Sequence, residues 1–181
     1  YQIEKSLRFE KSDTSILSRT PSAIGNQRIF TVAFWAKLSK LDTYTAIFTA
    51  GSDSTNDKLQ IYWTENQFRV ADGFSSVIMD IKVNRKSRDF SAFSHYVIAV
   101  DTTQSKDTER VRIYINGEQE TSFATTDWPS QNAATHVNTA VEHWIGGRHS
   151  NGRYFSGYLS DVFFIDGLSL SPHYFGSHDS A

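Results

Sequence analysis

Two stretches constrain this chain more than any others: Val111-Arg-Ile-Tyr-Ile-Asn-Gly117 and, later, Tyr154-Phe-Ser-Gly-Tyr-Leu-Ser-Asp-Val-Phe-Phe-Ile-Asp-Gly167. Each alternates apolar and polar residues and closes on a turn dipeptide, Asn116-Gly117 or Asp166-Gly167. A period of two belongs to strands, whose successive side chains point to opposite faces. Glycine at the second turn position admits the positive φ of a tight hairpin. A chain carrying several such runs folds as antiparallel β-structure.

Similar runs recur along the sequence, predicting strands over 6–9, 30–38, 45–50, 58–63, 67–70, 76–79, 95–100, 110–116, 143–145 and 158–165. Polar interruptions of hairpin length separate nearly all of them. Alternation puts Val32, Phe34, Ala36 and Leu38 on one face, with Tyr96, Ile98 and Val100 and then Val111, Ile113 and Ile115 following suit. All are expected in the core, with Phe163 and Ile165. Thr31, Ala33 and Trp35 take the other face of their strand, so that strand is expected to be central and covered on both sides. No amphipathic helix of ordinary length is present. Single helical turns are expected near 89–93 and 171–175, the second with Pro172 at its first position after Ser171. Ten or more short strands with partly apolar faces specify an all-β fold, an antiparallel two-sheet β-sandwich of jelly-roll type. The longest stretch without a core pattern runs from 124 to 141.

The chain's 181 residues suit one domain spanning 1–181, and thirteen Phe, eight Tyr and four Trp can fill its core. Basic and acidic residues are interleaved with a net charge of −2, which excludes nucleic acid as the main partner because phosphate binding needs a concentrated basic surface. The densest basic stretch, Lys82-Val-Asn-Arg-Lys-Ser-Arg88, is read as a solvated loop face. Cysteine is absent, so the protein relies on its core or assembles in a reducing compartment. No Asn-x-Ser/Thr acceptor, no signal peptide and no apolar run of the ~20 residues a membrane span needs can be found. Tyr1 in place of an initiator Met reads as a fragment or processed product of a longer chain.

Catalytic motifs are sparse. Glu118-Gln-Glu120 is the one Glu-x-Glu, and it follows directly on a hairpin turn, where a solvated end explains it better than an acid/base pair. There is no Gly-x-Ser-x-Gly elbow, and the six histidines lack metal-ligand spacing. His143 is read as a hydrogen-bonding or surface residue, and Gly146-Gly147 as a tight turn. Asp13 and Asp161 would be contributors to a structural calcium if the terminal strands lie side by side. The simpler reading gives Asp13 an Asx turn and Asp161 a backbone hydrogen bond. Sugar binding needs aromatic platforms beside amides and charged groups on loops. Trp128, Gln131, Asn132, His136 and Asn138 supply that mixture in one segment, and Arg148, His149, Asn151, Arg153 and Tyr154 in the next. The same mixture also suits a wet protein–protein contact.

Several motifs in order resemble the concanavalin A-like lectin/glucanase superfamily, its laminin-G-like branch most closely. They are Ser6-Leu-Arg-Phe-Glu-Lys-Ser-Asp13, Phe30-Thr-Val-Ala-Phe-Trp35, His95-Tyr-Val-Ile-Ala-Val-Asp101, Val111 to Gly117, Trp144-Ile-Gly146 and Phe155 to Asp166. Leu17-Ser-Arg-Thr-Pro-Ser22, Trp128-Pro-Ser-Gln-Asn132 and Phe164-Ile-Asp-Gly167 are similar to laminin-G-like domains of bacteriophage tail fibres and tailspikes. The resemblance implies a non-enzymatic module of a phage particle that binds host-surface polysaccharide for adhesion, located on the virion surface and assembled in bacterial cytoplasm. Other virion subunits are implied partners, a homotrimer is compatible with a fibre component, and membrane insertion is not implied. Structural decoration of capsid or tail is the alternative, and glycan hydrolysis a further one that the missing carboxylate motif disfavours. No cofactor is required. Family members sometimes hold a structural Ca2+ at the positions matching Asp13 and Asp161.

Overall fold

Residues 29–40 carry the longest alternation in the chain and become its central strand. The computed structural model describes residues 3–41, 43–51, 58–73, 76–148 and 153–176. Its strands are β1 (Leu7–Phe9), β2 (Leu17–Arg19), β3 (Ile29–Lys40), β4 (Tyr44–Gly51), β5 (Lys58–Thr64), β6 (Gln67–Asp72), β7 (Met79–Lys86), β8 (Ser94–Asp101), β9 (Val111–Ile115), β10 (Glu118–Gln119), β11 (Phe123–Asp127), β12 (His143–Ile145) and β13 (Ser156–Asp166). They form two antiparallel sheets, one of six strands in the order β1-β13-β3-β8-β9-β10 and one of seven in the order β11-β7-β6-β5-β4-β12-β2. The all-β sandwich expected from the sequence is the fold observed.

The inward faces follow the alternation. Val32, Phe34, Ala36 and Leu38 of β3 meet Leu59, Ile61, Trp63, Phe68 and Val70 across the sandwich, with Tyr96, Ile98, Val111, Ile113 and Ile115 alongside. The other face of β3 is covered too: Ala33 joins Val97, Ala99 and Tyr114 in a small cluster sealed by Phe175. Phe175 ends the short 3-10 turn Pro172–Phe175, which Pro172 opens as expected, although Ser171 makes no side-chain cap. Two-residue hairpins occur where polar dipeptides predict them. Asn116 and Gly117 have φ of 52° and 83°, and Glu65 and Asn66 have 53° and 64°.

Four expectations are corrected. Phe163 and Ile165 do not enter the core. Between Ser160 and Phe163 the pairing with β3 advances only from Trp35 to Ala33, so β13 holds one residue more than its partner, and Asp161 sits there with φ of 48°. This bulge shifts the alternation by one place. Val162 and Phe164 turn inward, and Phe163 is 42% exposed. Second, the strand expected at 76–79 begins at Met79 and runs to Lys86, because its polar half disguises it. The basic stretch thus lies mostly on a strand, where Lys82 meets Glu65 and Arg85 meets Glu118 and Glu120. Third, Phe123–Asp127 adds an edge strand to a segment expected to be irregular. Fourth, residues 89–93 form bends rather than a helical turn, with Ser91 N–H bonded to Asp89 Oδ1 at 2.7 Å.

Adjacent phenylalanines test the bulge. Phe164 stacks on Phe30 (5.9 Å) and Phe48 (6.0 Å), so Phe164→Ala is expected to cost about 3 kcal/mol. Phe163→Ala removes a half-exposed ring, with an expected loss of about 1 kcal/mol or less. Urea denaturation of both variants measures the order, which unbroken alternation would reverse.

Candidate ligand-binding face of the seven-stranded sheet

The polar half of the alternation builds the candidate site. On β5 to β7, Leu59, Ile61, Phe68, Val70 and Ile81 join the core, so Gln60, Tyr62, Arg69, Ala71 and Asp80 face away from it. With Tyr44, Arg148 and Arg153 these residues line a depression of ≈ 530 Å³. Gly146 and Arg153 are tied to β4 beside this face by backbone bonds, Gly146 N–H to Ile47 O (2.8 Å) and Ala46 N–H to Arg153 O (3.0 Å).

Two tyrosine rings form the floor. Tyr44 and Tyr62 are stacked with centroids 5.9 Å apart; Tyr62 is buried and Tyr44 is 38% exposed. Arg153 lies over the Tyr44 ring at 4.3 Å and donates to Gln60 Oε1 at 3.4 Å. Arg69 lies over Tyr62 at 5.7 Å and is held by Asp80 through Nε–Oδ1 (2.6 Å) and through Nη2–Oδ2. That bidentate contact raises the pKa of Arg69. Burial pushes the Tyr62 phenol up to about 12, against the pull of Arg69, so it is a hydrogen-bonding hydroxyl at ordinary pH. Burial, then the neighbouring charge of Arg148, lowers the pKa of Arg153. Aromatic faces, an amide, guanidinium donors and one carboxylate thus surround an open depression.

Of the residues singled out from the sequence, Arg148 and Arg153 meet here, and Tyr154 lies against Gly147 at its edge. His149 and Asn151 lie outside the described residues. The other five are dispersed. Trp128 packs on the core with its ring edge-to-face on Phe123 (5.3 Å). Gln131 and Asn132 tie their loop to the turn after β8, through Gln131 Nε2 to Thr103 O (3.0 Å) and Asn132 N–H to Thr102 O (2.8 Å). His136 is anchored on the fully buried Asp72 by its backbone N–H (2.9 Å) and its Nδ1 (2.5 Å). Asn138, nearly buried, caps the loop with φ of 57° and receives Gly25 N–H on its carbonyl (2.9 Å). Their bonds anchor the loop to neighbouring segments instead of gathering round one ligand. Tyr44, Gln60, Tyr62, Arg69 and Asp80 were not singled out, although the polar positions between core residues of the runs 58–63 and 67–70 carry the signal. Trp63, fully buried and bonded to Ser87 Oγ (3.1 Å), is a packing residue.

The two aspartates do not converge. The terminal strands β1 and β13 do pair, but Lys11 N–H meets Ser156 Oγ and Lys5 O meets Ser160 Oγ. Asp13 therefore lies near the Ser156 end, and Asp161 lies roughly 16 Å along the strand at ~3.3 Å per residue. A calcium ion needs ligands 2.3–2.6 Å away, so one ion cannot take both. Among the described residues no group of three or more His, Asp or Glu side chains gathers for a metal.

A second groove, ≈ 460 Å³ and largely apolar, opens between the sheets at the β2/β12 edge beside Leu17, Phe48, Ile145, Phe163 and Phe164. His143 lines it as a neutral ring: Nδ1 donates to Val141 O (2.8 Å), Nε2 accepts Asn138 N–H (2.9 Å), and burial lowers its pKa. The hydrogen-bonding role expected for His143 is the one observed.

Residues 11–172 match the laminin-G-type family described as the concanavalin A-like lectin/glucanases superfamily. The chain belongs to that superfamily. No curated protein matches it by sequence. Among solved structures, this laminin-G-type fold is similar to the LG1–3 region of the laminin α2 chain, with TM-score 0.66 and 16% identity over 93% of this chain and 33% of that one. The chain thus spans a third of that laminin structure. Domain 4 of AbnA, an extracellular GH43 arabinanase of Geobacillus stearothermophilus solved with arabinotriose, gives TM-score 0.61 and 18% identity over 88% and 78% of the two chains. The CBM40 of a Ruminococcus gnavus IT-sialidase, bound to α2,3 sialyllactose, gives 0.54 and 11% over 86% and 92%. At these identities the likeness is one of fold.

Two pH responses follow from this geometry. The fold favours neutral His143, so its contribution to stability is full above the ordinary value of 6.5 and is lost as pH falls below it. His143→Gln, which keeps an acceptor for the Asn138 N–H, is expected to flatten that acid limb in denaturant midpoints. Tyr62 acts on the alkaline side. Its raised pKa contributes stability that is full below about 10 and is lost as pH rises through about 12, a limb that Tyr62→Phe should weaken.

Proposed function

We propose that this domain is a non-catalytic glycan-recognition module whose ligand seats on the outward face of the seven-stranded sheet. One observation carries the reading: the part-exposed Tyr44 ring, stacked on the buried Tyr62, stands beside Gln60, Arg69, Asp80 and Arg153 in one depression. Sugars present C–H faces that pack on aromatic rings, and hydroxyls that bond amides and charged groups. The relatives solved with arabinotriose and sialyllactose support the same use of this fold. The depression offers no acid/base pair, since Asp80 is its one carboxylate among the described residues and Arg69 holds it.

The sequence likeness to phage laminin-G-like domains extends the proposal to a virion-surface adhesin for host polysaccharide, with other virion subunits as neighbours and a trimer as the form expected of a fibre. Decoration of a capsid or tail is a second reading. It is favoured by Leu7, Leu17 and Phe163, which are exposed at the edge formed by β1, β2 and β13, outside the proposed site. In a particle reconstruction, adhesion predicts the Tyr44 face turned outward and decoration predicts the Leu17 edge buried on a neighbour.

Glycan-array screening and calorimetry on the purified chain test recognition. Tyr44→Ala is expected to weaken binding at least tenfold, about 1.4 kcal/mol, without release of reducing ends from the wild type. Binding that survives Tyr44→Ala and is lost in Trp128→Ala would move the site to the 124–141 segment.

A further inference from the structure

The charges around the depression point to one class of saccharide. Arg69, Lys82 and Arg85 on β6 and β7 each meet a carboxylate: Asp80, Glu65, and Glu118 with Glu120. Arg153 differs. Among the described residues its contacts are with neutral groups, the Tyr44 ring at 4.3 Å and Gln60 Oε1 at 3.4 Å, and its charged neighbour is the nearly buried Arg148. Partly burying a cation beside a like charge is unfavourable, a cost that the lowered pKa of Arg153 registers. The backbone is nonetheless held by the Arg153 carbonyl bonded to Ala46 N–H at 3.0 Å, and the guanidinium by its place over the Tyr44 ring and its bond to Gln60 Oε1. An anion entering the depression would offset that cost and meet a planar fork suited to carboxylate or sulfate oxygens.

We propose that the saccharide bound at this face carries an anionic group, carboxylate or sulfate, which docks on Arg153 while a neutral part of the sugar packs on Tyr44. This rests on the recognition reading above and names the ligand class for the same site. Recognition through a half-buried arginine is steep in charge and modest in contact area. A neutral analogue of the same sugar leaves Arg153 without its counter-charge and binds correspondingly less well.

The test uses the full chain and a panel of oligosaccharides, each presented as its uronic acid, its carboxyl-reduced form and a sulfated form of the latter. The acidic or sulfated forms are expected to bind at least tenfold more tightly than the reduced one, with affinity falling as salt rises. Arg153→Gln, which removes charge and keeps hydrogen bonding, is expected to bring the ratio close to one while the Tyr44-dependent binding of the reduced form persists. Arg153→Lys, retaining charge without the fork, is expected to keep part of the preference and serves as the folded control. A panel in which only the uronic acids or only the sulfated forms are preferred identifies the anion and supports the proposal. Equal affinity for charged and reduced forms, or a preference unchanged in Arg153→Gln, overturns it and leaves glycan recognition standing. No binding by any member overturns both.

Discussion

The sandwich depends on a cluster of aromatic rings that spans its two sheets. Trp63 of β5 is wholly buried and meets Phe68 at 5.2 Å, Tyr96 at 5.4 Å and Phe155 at 6.3 Å, so one indole ties together neighbours in its own sheet, the facing sheet and the strand-less segment leading into β13. Phe34 extends the cluster through Tyr96 (5.2 Å) and Phe68 (6.4 Å) along the central strand. Large flat side chains fill the space between sheets, with edge-to-face contacts adding to area burial. No disulfide contributes, since the chain has no cysteine, and so this cluster must hold the sheets in register while the outward faces remain free to vary.

Most of the architecture was legible in the sequence because inward faces need apolar side chains at every second position. The runs through Phe34, Ile98 and Ile113 predicted their own burial. Alternation misled where the backbone broke it. Nothing in Ser160-Asp161-Val162 announces a bulge, and a single extra residue was enough to exchange Phe163 for Phe164 in the core. Edge strands were missed for a different reason. Phe123–Asp127 has a partner on one side only, so its composition answers mainly to solvent and reads as loop.

The candidate site was less legible. Polar residues between 124 and 141 drew attention as ligand contacts, yet Gln131 and Asn138 donate their amides to carbonyls of neighbouring segments, Asn132 is held by its backbone N–H, and His136 is tied to Asp72. Long connections must satisfy their N–H and C=O groups somehow, and amide-rich sequence is one means of doing so. Meanwhile Gln60, Tyr62 and Arg69 looked like the unremarkable solvent half of ordinary strands. What distinguishes them is convergence with Arg148 and Arg153, which come from a distant part of the chain and which only the folded register brings over them.

The attachment of Arg153 has a bearing on how such a surface can diversify. Its backbone carbonyl bonds Ala46 of β4, and its side chain adds a second contact to the same strand through the Tyr44 ring. The backbone bond to Ala46 is one that any residue at position 153 can make. A lineage built on this scaffold can exchange one recognition group for another there, and so shift from one class of sugar to the next, while the aromatic interior keeps the same shape beneath it.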